Sequence, residues 1–454
     1  MPAFRRAWGR AMYFAAVSLR GERSVYGRMA ELERLQFRTA DEIAERQREL
    51  LVHVLRDKLP HVRHYARWRD LAAGATVHDA EERLRGLPII EKELLQKDGN
   101  SLRVERWNGR SHKKTTGGST GRPVTVEKNP EAIAQEMAAS WLGYGWFGLR
   151  IGDPCVRFWG QPARNLRRRL RYLAADAATN RITLSAFGYS PSTLDRYLCR
   201  IERFRPAFLY GYVSALEDLA RHIAGRWDPS LEGLGIKAVV TTSEALSAPQ
   251  RALMESAFGA PVQNEYGCGE VGPIAYECEA GALHLMPFNH YVEVLDADGA
   301  PAPNGEPGSV IITDLTNDVM PLTRYRVGDT AARGRACSCG RGFPVLDYIF
   351  GREYDYVENP AGQRFHGEFF MYLFEDLRKK SPGIGQFKVV QLDHDHLEVQ
   401  LVVSGDAGAV EAAVSSEFGR RLPEFGVAVK FVPAIPRQPS GKMRVVENRL
   451  ASQR

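Results

Sequence analysis

Three short apolar runs, Ala207 to Leu209, Ile236 to Val240 and Pro261 to Asn264, are each separated from the next by a helix-like segment. A strand that returns to its own sheet through a helix lies parallel to its predecessor, so this alternation implies βαβ units and a sheet with parallel character. The chain has 454 residues, too many for one hydrophobic core, and a large domain with at least one smaller one is expected. Hydrophobic residues make up 44% and charged residues 26%, with neither the long apolar run of a membrane span nor the polarity of a disordered chain.

The pattern changes further along. From Tyr291 to Leu315 short strands are punctuated by Asp298-Gly299, Asn304-Gly305 and Pro307-Gly308, which predicts antiparallel β-structure. After Gly351 a separate pattern begins. Helix is predicted for Phe365 to Arg378 and Ala409 to Arg421, and strands for Phe387 to Leu392, Leu397 to Val403 and Val427 to Phe431. That is a compact α+β unit of about a hundred residues, which places a domain boundary near Gly351 and divides the chain into 1–350 and 351–454. Upstream, Ile43, Leu50, Leu51, Val54 and Leu55 fall at helical spacing in the stretch Thr39 to Trp68, behind a cap at Thr39 to Asp41. No internal repeat or low-complexity tract is visible.

Lys and Arg number 61 against 55 Asp and Glu, a formal charge of +6. Over this length that is a weak signal for any polyanion, and no nucleic-acid partner is expected. Two basic groups are local: Arg164, Arg167, Arg168, Arg169 and Arg171, and Arg5, Arg6, Arg10, Arg20 and Arg23 around the apolar segment Ala11 to Leu19. That segment is too short to span a bilayer and lacks a small-residue cleavage site. It fits a surface-lying amphipathic helix with peripheral membrane contact, but the favoured reading is a helix packed on its own domain with a solvated basic face. The six cysteines, Cys155, Cys199, Cys268, Cys278, Cys337 and Cys339, are unevenly spaced and read as cytosolic thiols or metal ligands, with a cytoplasmic location expected.

From Lys114 to Val126 small and hydroxyl residues mark a functional loop. Its centre, Thr116-Gly117-Gly118-Ser119-Thr120-Gly121-Arg122-Pro123, combines glycines that let backbone amides approach an anion, hydroxyl donors and one cation. It lacks the Walker spacing. Four more segments follow in order: Asn264-Glu265-Tyr266-Gly267-Cys268-Gly269-Glu270, Leu322 to Asp329, Gly351-Arg352, and Pro439-Ser440-Gly441-Lys442. In this order the five resemble the conserved segments of the adenylate-forming enzymes, the superfamily of acyl-CoA synthetases, nonribosomal adenylation domains and luciferases. Within it, Arg205 to Tyr212, Cys278 with His284, Asn317 to Tyr325 and Cys337-Ser338-Cys339-Gly340-Arg341 resemble the phenylacetate-CoA ligase branch and its CapK-like members, and the match covers residues 35 to 450.

The resemblance implies an α/β fold: a large N-terminal domain of βαβ subdomains with a β-barrel-like part, and a small mobile α+β C-terminal domain carrying the catalytic lysine. It implies ATP and magnesium as cofactors and a small-molecule carboxylic acid as substrate, activated as an acyl-adenylate and passed to an acceptor, CoA or an amine. Thr116, Ser119, Thr120 and Gly121 would hold the phosphates, whose charge must be spread as pyrophosphate leaves. Tyr266, with Gly267, would stack on adenine, Asn264 read its edge, and Asp329 accept from the ribose hydroxyls. Glu270 would hold magnesium. Arg352 opens the hinge, and Lys442 would place an ammonium between the attacking carboxylate and the α-phosphate. Two departures stand out: Gly269 replaces the family's Thr before the magnesium glutamate, and Tyr354 replaces the usual hinge carboxylate, with Asp355 beside it.

Cys278, His284, Cys337 and Cys339 offer three thiols and one imidazole, a donor set that suits a closed structural zinc site. Trp141, Tyr144, Trp146, Phe158, Trp159, Phe187, Tyr189, Tyr210 and Tyr212 give an aromatic-rich region where the family places the acid, consistent with an aromatic or planar substrate. Arg157 or Arg164 could clamp an additional anionic group, although an exposed basic face is the favoured reading. Three functions stay open at this point. One is a CoA ligase; another is an adenylating ligase or adenylyltransferase acting on an amine, sugar or small metabolite; the third is a nucleotide-binding scaffold without turnover. A monomer or homodimer is expected.

Overall fold

The computed structural model describes residues 2–116, 124–160, 166–186, 190–225, 231–350, 356–381, 383–435 and 445–450. A hairpin of β1 (His112–Thr116) and β2 (Val124–Lys128) comes first, so both ends of the stretch expected as loop are ladder, with Thr116 opposite Val124. The main sheet then begins with β3 (Cys155–Phe158), β4 (Arg181–Leu184), β5 (Phe208–Tyr212), β6 (Ala238–Thr242) and β7 (Val262–Cys268). They pair in parallel in the order β7-β6-β5-β3-β4. Helices Leu166–Ala178, Pro191–Phe204, Val213–Ala224 and Ala248–Phe258 make the crossovers. β5, β6 and β7 are the three runs expected from sequence, each prolonged into polar or aromatic residues at its carboxyl end. Ligands of open α/β sheets bind beyond that end of the strands.

The sheet continues through β8 (Gly272–Glu277), β9 (Leu283–Leu285), β10 (His290–Leu295), β11 (Pro307–Asp314), β12 (Tyr325–Arg333) and β13 (Val345–Phe350). These are antiparallel, in the order β10-β11-β12-β13-β9-β8-β7, so β7 belongs to both halves of one eleven-stranded sheet. Asp298-Gly299 and Asn304-Gly305 turn as expected, with both glycines at positive φ. Pro307-Gly308 is instead the start of β11. A Cβ at Gly308 would lie 2.6 Å from the Leu295 carbonyl oxygen, so close approach of the partner strand, not a turn, requires glycine there.

Thr39 and Glu42 form a reciprocal capping box for helix Ala40–His53. The single helix expected as far as Trp68 gives way to a wider turn at Val54–Lys58 and short tight turns around Pro60, which has no N–H to continue the ladder. After residue 355 come β14 (Tyr356–Glu358), β15 (Arg364–His366), helix Gly367–Lys380, β16 (Ile384–Gln391), β17 (His396–Val403), helix Ala407–Arg421, β18 (Gly426–Phe431) and β19 (Val446–Asn448). The order β18-β17-β16-β19 forms a separate four-stranded sheet. Phe365, expected to start a helix, lies in β15, and β19 carried no sequence signal strong enough to be expected.

Helix Pro130–Gly145 lies against β8, where Gly143 meets the Tyr276 ring. A Cβ at Gly143 would sit 2.3 Å from Tyr276 Cγ, and the Tyr276 hydroxyl is tied to Ser140 Oγ at 2.8 Å, so the ring cannot retreat freely. Gly143→Ala improves helix propensity, yet a net destabilisation of roughly 1–3 kcal/mol is expected from overpacking. The urea midpoint checks it; an unchanged or raised midpoint contradicts this contact.

Candidate active site

Strand β7 and the turn after it carry the centre of the candidate site. Tyr266 is buried, and its hydroxyl hydrogen-bonds Asp329 Oδ2 at 3.1 Å. Asp329 comes from β12, which bulges there: the register against β11 jumps from Arg326↔Ile311 to Thr330↔Ser309, and Gly328 takes φ 82°. Such a bulge re-aims a side chain. Gly267 lets β7 and β8 close tightly, since a Cβ would lie 2.8 Å from the Gly272 oxygen. The Asn264 main-chain N–H donates to Glu277 Oε2 at 2.9 Å, and Arg251 pairs with that carboxylate at 2.7 Å.

Glu270 sits buried in the turn after β7, with Oε1 2.8 Å from Lys92 Nζ. Lys92 is delivered by a segment that hydrogen-bonds β12: Ile90 N–H donates to the Arg324 oxygen and Arg326 N–H to the Ile90 oxygen, each at 2.9 Å. Arg324 anchors that segment. It takes φ 53°, forms a bidentate pair with Glu293 at 3.1 Å, and donates to the Arg85 and Leu87 oxygens at 2.8 and 2.9 Å. Beneath the turn, Lys128 donates to the Val271 oxygen at 2.7 Å and pairs with Glu136 and Asp314. Burial opposes its charge, but the two carboxylates outweigh it and hold the ammonium above the ordinary lysine range. Burial pushes the nearby Cys268 thiol up to about 12, so it remains a neutral thiol at neutral pH.

The described aromatic residues divide among three places. Trp159 stacks on Tyr212 at 4.6 Å and on Tyr210 at 5.9 Å, and Tyr144 joins Tyr210 to Trp141 edge-on. Within this group Glu265 accepts hydrogen bonds from Tyr144 at 2.7 Å and from Tyr210 and Thr242 at 3.1 Å. Burial pushes its carboxyl above the usual range, against donors that favour the charged form. The Arg157 guanidinium lies 4.2 Å over the Trp159 ring, so it is not part of an exposed basic face. Phe158 points to the other side of its strand and is fully buried against Tyr197, as strand alternation demands. Trp146 packs edge-on against His284 instead.

That histidine belongs to a second cluster. The ligating atoms of Cys278, His284, Cys337 and Cys339 all lie within 4.8 Å of one another. Cys278 and Cys337 sulfurs are 3.7 Å apart, and Cys339 Sγ is 3.2 Å from His284 Nε2. A tetrahedral zinc with sulfurs at about 2.3 Å sets them about 3.8 Å apart. His284 Nδ1 is 2.9 Å from the Phe343 carbonyl oxygen, which can only accept, so Nδ1 carries the proton and the Nε2 lone pair faces the thiols. The donor set and the tautomer both fit zinc.

No family model matches the chain. Protein CapK from Staphylococcus aureus is 24% identical over 380 residues, covering 80% of each chain. Phenylacetate-coenzyme A ligase from Thermus thermophilus is 29% identical over 246 residues, 52% of this chain and 54% of the relative. The crystal structure of 2-hydroxyisobutyryl-CoA ligase in complex with 2-HIB-AMP and CoA superposes with a TM-score of 0.59 at 19% identity, covering 93% of this chain and 94% of that one. The chain has the adenylate-forming fold and is similar to the phenylacetate-CoA ligase and CapK-like branch of that superfamily.

Of the residues that the adenylate-forming resemblance singled out, Asn264, Tyr266, Gly267, Glu270 and Asp329 converge on the β7 hairpin and β12. Ser119, Thr120, Gly121, Arg352 and Lys442, with Phe187, Tyr189 and Arg164, lie outside the described residues. Lys92, Lys128 and Glu265 were not foreseen. Glu265 lies inside the Asn264–Glu270 segment, but nothing in the sequence reveals its three hydroxyl donors, and Lys92 lies far from Glu270 along the chain.

His290 ties this scaffold to pH. Its Nε2 donates to the Pro273 carbonyl at 3.0 Å, Nδ1 is buried without a hydrogen-bond partner, and burial lowers its pKa to about 4. Between the ordinary histidine value of about 6.5 and the folded value, the unfolded chain binds the extra proton, so stability is present above that window and falls as pH drops through it. The contribution is roughly 3 kcal/mol. Urea midpoints should fall more steeply from pH 7 to pH 5 for the wild type than for His290→Gln; parallel slopes contradict the assignment.

Proposed function

We propose that the chain is an ATP-dependent, AMP-forming ligase that activates a carboxylic acid as its acyl-adenylate and transfers the acyl group to CoA. The observation that carries the reading is the Tyr266–Asp329 hydrogen bond beside buried Glu270, which joins residues from two separate motif segments in one place. Asp329 accepts from the ribose hydroxyls and Tyr266 flanks adenine. Glu270 would hold magnesium, whose cationic charge would offset the charge that pyrophosphate carries as it leaves. Lys92, now 2.8 Å from Glu270, keeps that carboxylate compensated before nucleotide arrives.

The acid carboxylate attacks the α-phosphate, pyrophosphate departs, and the thiol of CoA then attacks the acyl carbonyl with AMP as leaving group. Residues 351–454 act as a mobile domain turning on Arg352. They bring Lys442 between the two anions for the first step, and Thr116, Ser119, Thr120 and Gly121 receive the phosphates. The Trp159, Tyr210, Tyr212 and Tyr144 group binds an aromatic or planar acid. Support for CoA as acceptor comes from relatives named for CoA ligation and from the likeness to a ligase crystallised with an acyl-AMP and CoA.

Cys278, His284, Cys337 and Cys339 hold a structural zinc that pins β8 and β9 to the segment before β13. About one equivalent per chain is expected after native purification, and Cys337→Ser with Cys339→Ser should lose both the metal and several degrees of melting temperature. Less than a tenth of an equivalent rejects the site.

The reaction is tested by screening acids for pyrophosphate release, with and without CoA. One acid or a narrow set should support release, CoA should accelerate turnover and yield a thioester, and Lys442→Ala should cost about a hundredfold or more in rate. Release that ignores CoA while amide accumulates with an amine rejects CoA as acceptor; a silent screen, or an unaffected Lys442→Ala, rejects the ligase.

A further inference from the structure

Helix Pro2–Arg20 is docked by one face and bare on the other. Inward, Tyr13 and Val17 are buried, the Trp141 indole N–H donates to the Tyr13 hydroxyl at 2.9 Å, and Arg6 pairs with Asp153 at 2.5 Å. Gly9 presses against the domain, where a Cβ would lie 2.6 Å from the Gly152 oxygen. This packing holds the helix in place, so the exposure of its other side is not fraying. Outward stand Trp8, Phe14 and Leu19, exposed by 56%, 53% and 84%. Helix Leu166–Ala178, which packs against it, exposes Leu170, Tyr172 and Leu173. Among the described residues these six are most of the large hydrophobic side chains left in water.

The charge around this face is mainly positive; the one carboxylate lining the hollow with Phe14 and Arg23 is Glu131, which pairs with Arg28 at 2.8 Å. Arg10, Arg20 and Arg23 are exposed, and none of them is in an ion pair among the described residues. Glu22 is the one acid in the first 23 residues, and it is buried. On the second helix the one acid, Asp176, is occupied by Arg181 and Thr183, while Arg167, Arg168, Arg169 and Arg171 enrich the same segment in positive charge. The solvent-facing side of the N-terminal helix therefore carries exposed apolar side chains beside the solvated arginines expected from its composition.

We propose that these two helices form a docking face for an anionic lipid surface. Trp8, Phe14 and Leu19 enter the boundary between headgroups and acyl chains, and Arg10, Arg20 and Arg23 meet the lipid phosphates and carboxylates. No helix among the described residues is long and apolar enough to cross a membrane, so the attachment is peripheral. A second copy of the chain is the poorer occupant, because two such faces would set Arg10, Arg20 and Arg23 against arginines, while the neighbouring Glu131 is already held by Arg28 and Ser24. The inference is independent of the ligase reading.

Cosedimentation of the full chain with vesicles tests it. Phosphatidylcholine vesicles containing roughly a third phosphatidylserine should bind the wild type at least tenfold more tightly than phosphatidylcholine alone, and binding should weaken as salt rises. Trp8→Ser with Phe14→Ser and Leu19→Ser, and separately Arg10→Glu with Arg20→Glu and Arg23→Glu, should each abolish binding while leaving the melting temperature unchanged. If the triple variants melt early, Leu19→Ser alone, at the most exposed position, should still weaken binding severalfold. No binding to anionic vesicles, binding indifferent to the variants, or a wild-type dimer that the apolar variant converts to monomer without any vesicle binding would overturn the proposal.

Discussion

Strand β7 is parallel to β6 along one edge and antiparallel to β8 along the other, and the candidate chemistry depends on that change of direction. The parallel half delivers the carboxyl ends of β5 and β6, with Tyr210 and Thr242, beside Glu265. The antiparallel half folds the chain straight back after Glu270 and brings β12, with Asp329, within hydrogen-bonding distance of Tyr266. Neither half alone would hold the aromatic group around Glu265 together with Asp329 and Glu270.

Buried charge holds this junction in shape. Lys128 under the turn satisfies Glu136, Asp314 and the Val271 carbonyl at once, and Arg324 locks Glu293 to the segment that leads to Lys92. Breaking one member of such a set leaves an uncompensated buried charge, at a cost of about 3–5 kcal/mol. The turn therefore presents Glu270 from a rigid base.

Periodicity revealed what depends on local pattern. β5, β6 and β7, the two helices between them, the cap at Thr39 and most of the C-terminal α+β unit follow from apolar spacing and punctuation. Elements decided by distant packing were illegible: Pro307-Gly308 reads as a turn but starts β11 because Leu295 crowds it, and the helix after Thr39 loosens at Val54. The candidate site divides the same way. Tyr266, Glu270 and Asp329 were legible through motif order, and the Cys/His quartet through donor type. Lys92, Lys128 and the donors around Glu265 join the site only through tertiary contacts. Of the aromatic residues, strand alternation could have removed Phe158, whose neighbours Arg157 and Trp159 face the opposite side.

Exchange of labelled pyrophosphate into ATP, measured across a panel of carboxylic acids, tests the central claim most directly, because it reads formation and reversal of the acyl-adenylate without any acceptor. The account predicts exchange that requires both magnesium and a particular acid and that collapses in Asp329→Ala with the fold intact. Exchange supported by no acid, or unchanged in that variant, would contradict it.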